Sequence, residues 1–313
     1  MATRGASHTF AIGLGAMVAL LAAAPFIGFY PVFVMKAMCF ALFACAFNLL
    51  LGFGGLLSFG HAMFLGTAGY VSAYAAKSWG MTPEIAILFG TCASAALGIV
   101  VGALAIRRQG IYFAMITLAI AQMVYFFYLQ TPFTHGEDGI QSVPRGRMFG
   151  LVDLSQPLVV YYVVLAIFLA AFLFIHRVVH SPFGHVLKAI KENEPRAISL
   201  GYDADRYKLI AFILSATLAG LAGATKAIVF QLAALNDVHW STSGEVVLMT
   251  LLGGMGTIFG PVIGAFIIVA LENYLAPFGQ WVTIITGIIF VVCVLAFRRG
   301  IVGEIRALVK RSF

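Results

Sequence analysis

The chain of 313 residues is 62% hydrophobic and 10% charged, with a mean hydropathy of +1.01 and a net charge of +7. Soluble domains are about 25% charged, so a soluble globular fold is excluded and an all-α polytopic membrane protein is predicted. A transmembrane barrel is excluded as well, because its strands would alternate polar and apolar residues, whereas these segments stay apolar on every side for about 20 residues.

The amino terminus carries one arginine, Arg4, followed by an apolar run over residues 10–30. Ala22-Ala23-Ala24 would suit a signal peptidase. The run is long for a signal peptide and more apolar segments follow, so it is read as a first span. At about 20 residues per crossing, ten spans are predicted: 11–30, 32–52, 56–76, 84–105, 111–130, 158–176, 208–232, 245–259, 261–277 and 280–297. The eighth is short and broken by glycine. With the amino terminus inside, fourteen of the nineteen Lys and Arg fall on the cytoplasmic side. Lys77, Arg145 and Arg147 fall outside, and Lys36 and Lys226 lie within spans. This asymmetry predicts that both termini are cytoplasmic. It also accounts for the positive charge without a nucleic-acid partner. Cys39, Cys45, Cys92 and Cys293 lie in apolar segments with no CxxC spacing and read as small buried hydrophobes.

Two glycine-dense stretches, 51–70 and 251–265, interrupt helices on the inner side. Backbone that is not helical at membrane depth must be buried in protein or line a cavity, and small residues let helices approach closely. Both stretches contain Gly-Gly followed by Phe-Gly, at Gly54-Gly55 with Phe59-Gly60 and at Gly253-Gly254 with Phe259-Gly260. Their spacing differs by one residue, a weak sign of an internal repeat. The in-span polar residues are Lys36, Asn48, Ser58, His61 and Lys226, with Glu272 the weakest member of the set. Asn48, Ser58, His61 and Lys226 are candidates for lining a translocation path. His61 either faces such a path or is a satisfied packing residue. Lys226 either lines an aqueous path or snorkels to the interface.

The one long outer loop, 131–157, is turn-rich through Gly136, Gly139, Pro144 and Gly146. It carries Glu137, Asp138, Arg145, Arg147 and Asp153. It is a connector or a functional loop, and its retained length favours function.

Residues 176–208 form the one long polar interruption, holding six Lys/Arg and four acids. Ser181-Pro182 reads as a helix start. Phe183, Leu187 and Ile190 then recur at helical spacing. Asn193 or Glu194 caps a second turn opened by Pro195, with Ala197, Ile198 and Leu200 as its apolar side, and Gly201 fits the left-handed position that ends a helix. The expectation is a helix, a kink and a helix lying across a membrane surface. A headgroup-bound amphipathic helix is one reading. Its mixed charge favours the other, a docking helix for a soluble partner.

Sequences for catalysis are absent. There is no Walker A motif, so any ATP hydrolysis belongs to another chain, and no HExxH or GxSxG. Paired intramembrane acids, the mark of an ion pump, are not apparent along the chain.

Four segments, KAIKENEPRAISLGYDADRYKLIAFILSATLAGLAGA, LLGGMGTIFGPVIGA, LLSFGHAMFLGTAGY and THGEDGIQSVPRG, resemble the LivM-type permease subunits of branched-chain amino acid ABC importers. The resemblance runs from residue 48 to 299. It implies one transmembrane permease domain over 1–313 in a bacterial inner membrane, delivering hydrophobic amino acids from a periplasmic binding protein. It further implies a homologous second permease subunit in a heterodimer and two cytoplasmic ATPase subunits. ATP and Mg would be bound by those subunits, with no cofactor in this chain. The loop 177–207 would be the coupling element, with Lys191, Glu192, Asn193, Glu194, Arg196, Ala197 and Gly201 meeting the ATPase. Ala197 and Gly201 keep the Ala-x-x-x-Gly core of that motif, while Pro195 and Arg196 replace its leading Glu-Ala. The periplasmic loop 131–157 would meet the binding protein through Glu137, Asp138, Arg145 and Arg147. His135 stands where the family leads one to expect a small residue such as Gly. Permeases of the same kind for urea, short amides or other small solutes fit the same residues. An ion-coupled secondary transporter is the reading from another class and predicts intramembrane carboxylates, which are scarce along the sequence.

Overall fold

In the computed structural model the described residues are 2–108, 110–148, 150, 152–279, 281–296 and 300–304, and the fold they describe is about 80% helical. Among them twelve α-helices occur: α1 (Ala2–Ile27), α2 (Pro31–Asn48), α3 (His61–Lys77), α4 (Pro83–Ala105), α5 (Ile111–Gln130), α6 (Pro157–Val179), α7 (Pro182–Glu192), α8 (Glu194–Ser199), α9 (Ala204–Phe230), α10 (Trp240–Gly253), α11 (Gly260–Leu275) and α12 (Trp281–Ala296). Six are long and apolar enough to cross a membrane: α1, α2 with its continuation to Phe53, α4, α5, α6 and α9. This is an all-α, multi-pass membrane fold.

Helix α2 is the axis. Every residue from 34 to 48 except Lys36 is buried, which is why its sequence shows no apolar stripe. It packs against α9, α11, α6 and α10. On one side of it α3, α4 and α9 form a tight trio made possible by small residues. A Cβ on Gly223 of α9 would collide with the backbone of Leu65 in α3. Ser94 of α4 donates to the Ala216 carbonyl of α9 at 2.8 Å. On the other side α10 and α11 form a hairpin in which a Cβ on Gly264 would strike the Met249 carbonyl. Lipid offers no hydrophobic driving force between helices, so such close packing and buried hydrogen bonds are what hold them. Helix α1 lies against α6, where the Tyr161 hydroxyl donates to the Leu21 carbonyl at 2.5 Å.

The glycine-dense stretches depart from the predicted spans. The segment predicted at 56–76 begins its helix only at His61; before it, α2 loosens into a π-helical turn, Leu49–Phe53, and a non-helical run. The span predicted at 245–259 is α10, shifted toward the amino terminus. It starts at Trp240, where the His239 side chain accepts from the Ser241 N–H, and stops where Gly254 takes φ 121°. Its first turn is polar, so an apolar run could not mark its start. The two stretches also meet. The Asn48 amide donates to the Thr257 carbonyl at 2.8 Å and accepts from the Gly256 N–H at 2.9 Å.

Close approach makes a stability prediction. Gly223→Val and Gly264→Val should each lower the thermal stability of the detergent-purified chain by about 1–3 kcal/mol or more. Gly15→Ala, where a Cβ meets nothing within 4 Å, should leave the melting temperature unchanged.

Candidate functional site

At one end of the bundle lie α7 and α8. Ser181 caps α7 by accepting from the Gly184 N–H at 3.4 Å. Gly184, Leu187 and Ile190 form its buried face, and Leu187 packs on Gly54. Two lysines tie this helix to the loosened end of α2. Lys191 Nζ donates to the Gly52 carbonyl at 2.7 Å. Lys188 Nζ donates to the Val179 carbonyl at 3.3 Å and sits 5.3 Å from the Phe53 ring centre, and burial pulls its pKa below the usual lysine value.

The chain kinks at Asn193, whose side chain caps α8 by accepting from the Arg196 N–H at 3.1 Å. Glu194 turns inward to Lys208 at 2.5 Å, a lysine whose side chain is only 5% exposed. Ala197 is buried with Ile190 and Ala204. Gly201 takes φ 90°, and Tyr202 N–H returns to the Ala197 carbonyl at 3.2 Å, closing the helix end. The resulting outer surface consists of Glu192, Asn193, Arg196 and the exposed apolar residues Ile198 (55%), Leu200 (69%) and Tyr202. Of the seven residues anticipated for coupling, then, Lys191, Glu194 and Ala197 serve the loop's attachment, Glu192, Asn193 and Arg196 face outward, and Gly201 closes the helix end.

The mid-bundle residues are all buried. His61 Nε2 lies 2.8 Å from Ser215 Oγ, which donates to the Ala46 carbonyl at 2.6 Å. The rings of Phe47, Phe64 and Phe212 surround the imidazole edge-on. Ser58 Oγ accepts from the Gly60 N–H at 3.3 Å. Asn48 joins the two glycine stretches as described.

The opposite end gathers charge. Lys36 on α2 pairs with Glu272 on α11 at 3.5 Å, and Lys226 on α9 pairs with Asp237 in the 3-10 turn Leu235–Asp237. Both ammonium groups lie over Phe40, 5.7 and 5.2 Å from its ring centre. Glu245 on α10 lies within electrostatic reach of all four. Asp237 and Glu245 were not singled out in the sequence, since each stands near a predicted span boundary and they come together only on folding. The signal was Lys36 and Lys226, because a lysine placed inside a span calls for a counter-charge.

Beside this cluster the long outer loop is well tied down. Strand β1 (Ile140–Gln141) pairs antiparallel with β4 (Leu232–Ala233), and β2 (Arg147–Met148) with β3 (Val152–Asp153). Lys77 Nζ donates to the Gln141 carbonyl at 2.8 Å. His135 takes φ 59°, the left-handed region suited to a glycine. The Ser155 N–H, donating at 2.9 Å, holds the Asp153 carboxyl below its ordinary pKa. Glu137, Asp138 and Arg147 are exposed, whereas Arg145 points inward and donates to the Val229 carbonyl at 2.6 Å, near the end of α9.

A multi-pass helical bundle with a charged cluster near one end and a tethered amphipathic platform at the other defines the class as an all-α membrane protein. The family model described as branched-chain amino acid transport system / permease component matches residues 30–297, and the chain belongs to that family. Among curated relatives, it is 26% identical to the high-affinity branched-chain amino acid transport system permease protein LivM of Salmonella typhimurium over 296 residues, 87% of this chain and 70% of that protein. LivM of Escherichia coli K12 gives the same identity and coverage, 26%, 87% and 70%. The ribose import permease protein RbsC of Escherichia coli K12 is 28% identical over 221 residues, 63% of each chain. No solved structure matches the chain significantly.

Asn48, 2% exposed, generates the second prediction. Asn48→Ala strands the Gly256 N–H and the Thr257 carbonyl at about 1–3 kcal/mol for each group left unpaired. Thermal denaturation in detergent should show the loss, and Asn48→Asp, which keeps only the acceptor, should recover part of it at most.

Proposed function

We propose that this chain is a transmembrane permease subunit of an ATP-driven importer, forming half of the translocation path for branched-chain amino acids in a bacterial inner membrane. On this reading it crosses ten times with both termini in the cytoplasm, α3, α10, α11 and α12 completing the set begun by the six long helices. A homologous permease subunit supplies the other half of the path. Two cytoplasmic ATPase subunits bind ATP and Mg, and a periplasmic binding protein delivers the solute to the loop end.

The observation that carries the reading is the α7–α8 platform. It presents Ile198, Leu200 and Tyr202 outward beside Glu192 and Arg196, while Lys191 fastens it to the π-helical end of α2. An apolar patch rimmed by charge marks a protein or membrane contact; the mixed charge favours a protein, and the attachment would give a docked ATPase a direct hold on the buried α2. The substrate class follows the LivM relatives, whose match covers 87% of the chain against 63% for the ribose permease. An importer of the same build for an uncharged solute is the second reading, supported by the similarity to RbsC.

The test is reconstitution of the full importer in proteoliposomes, with uptake of leucine measured against urea and ribose as competitors. Arg196→Glu should weaken ATPase association by roughly a hundredfold through charge reversal at the contact. Gly201→Val should leave the ATPase bound but reduce uptake, because a β-branched residue is strained at φ 90°. Normal uptake by both variants, with the ATPase bound at native levels, would return the platform to a lipid-surface helix.

At the other end, neutralising Glu137 and Asp138 together should weaken stimulation of ATP hydrolysis by the binding protein, since such charges act on encounter and register. Basal hydrolysis should be unchanged. Unaltered stimulation would make the loop a connector.

A further inference from the structure

The cluster of Lys36, Lys226, Asp237, Glu245 and Glu272 is assembled from four helices and a turn, all near the same end of the bundle. Lys36, Lys226, Glu245 and Glu272 lie roughly 5–8 Å along their helix axes from the nearest helix end, at 1.5 Å per residue. Ionisable groups at such depth are costly unless paired or wetted, and they mark solute or ion pathways. Two cations face three acids. The two ion pairs consume four of these groups, and Glu245 makes no hydrogen bond or ion pair among the described residues.

The pairs are unequal. Lys226 and Asp237 are in close contact, with both side chains 16% exposed. Lys36 and Glu272 stand 3.5 Å apart, and the Lys36 side chain is 38% exposed. The first pair is the more buried. The second is the more open to solvent and so the easier to exchange. Both ammonium groups lie against the Phe40 ring, 5.7 and 5.2 Å from its centre, so the two lysines share one aromatic neighbour. The arrangement therefore offers an exchangeable cation, Lys36, within electrostatic reach of Glu245, a carboxyl group with no hydrogen-bond or ion-pair partner among the described residues.

We propose that this cluster recognises the charged ends of a zwitterionic amino acid on its way through the permease, Lys36 receiving the carboxylate and Glu245 the ammonium. The inference rests on the amino-acid reading of the function given above and deepens it by assigning specificity residues. A zwitterion leaves the net charge of the site unchanged while supplying a partner to Glu245 and a replacement partner to Lys36. A neutral polyol or urea would supply neither. A simple cation would satisfy Glu245 but has no use for an exchangeable lysine.

The test uses the complete importer in proteoliposomes, reading radiolabelled leucine uptake, ATP hydrolysis stimulated by the leucine-loaded binding protein, and the melting temperature of the complex. Glu245→Gln and Lys36→Gln should each reduce leucine carried per ATP hydrolysed by about tenfold or more, the loss of one charge-assisted contact. For Glu245→Gln, stimulated hydrolysis and melting temperature should stay near native, and Glu245→Asp should restore part of the uptake. Lys36→Gln also leaves Glu272 without its partner, so its melting temperature should fall and only its uptake per ATP bears on the proposal. Leucine carried at the native ratio by Glu245→Gln would overturn the proposal. So would a parallel fall in uptake, hydrolysis and melting temperature that Glu245→Asp does not relieve, which is the signature of a structural network. Native uptake that requires a sodium or proton gradient would overturn it in favour of a cation site. If the native complex carries urea or ribose but no branched-chain amino acid, the underlying reading of the function fails, and that outcome is recognised before any variant is compared.

Discussion

A helix that loosens inside a membrane must find partners for its backbone within the protein, because lipid offers none. Helix α2 meets this requirement at its π-helical end. Lys191 reaches up from α7 to the Gly52 carbonyl, and Asn48 clamps the facing loop through the Gly256 N–H and the Thr257 carbonyl. π-Helical turns inside α-helices are rare and frequent at functional positions. Here the turn is the junction of three bodies: the α7–α8 platform, the axis helix, and the α10–α11 hairpin. The platform and the hairpin loop each hydrogen-bond to the end of α2, the first through Lys191 and the second through Asn48.

The junction gives α2 an unusual position. Its loosened end is held by the platform and the hairpin loop, and near its other end Lys36 and Phe40 belong to the charged cluster. Between them the helix is buried on all sides and packed on α9, α11, α6 and α10. Close-packed interiors transmit displacement rather than absorb it. On the function proposed above, movement of the platform is therefore felt at the cluster through a single rigid element, without any chain of side-chain rearrangements.

The sequence carried the local features well. Ser181, Pro182, Asn193 and Gly201 mark helix ends by chemistry that acts within four residues, and each was legible for that reason. The apolar runs of α4, α5 and α6 were equally plain, since their length and composition are properties of a continuous stretch. Long-range pairings were not legible. Arg145 reads as a surface charge in a turn-rich loop, yet it turns inward to Val229, 84 residues away. Glu245 reads as a boundary residue, yet α10 begins five residues earlier with a polar turn and carries it among Lys36, Lys226 and Glu272. The scarcity of membrane acids along the chain was thus a feature of the linear order: three carboxylates from distant positions share one end of the fold.

The exposure of Lys36 in that cluster constrains what lies beside it. Lys36, with 38% of its side chain uncovered, stands on the same face as Glu272 of α11. A charge pair open to hydrocarbon would be expensive, and such residues in membrane proteins face a bundle interior or a water-filled cavity. Residues 34 to 48 of α2 otherwise show no exposure to match, so the opening is local to the charged end. In a permease built from two subunits, this is the geometry expected where the path runs between them: the charges stay wetted, and the apolar remainder of α2 stays sealed inside its own subunit. On the function proposed above, the same axis helix would be a wall of the path at one end and the anchor of the α7–α8 platform at the other.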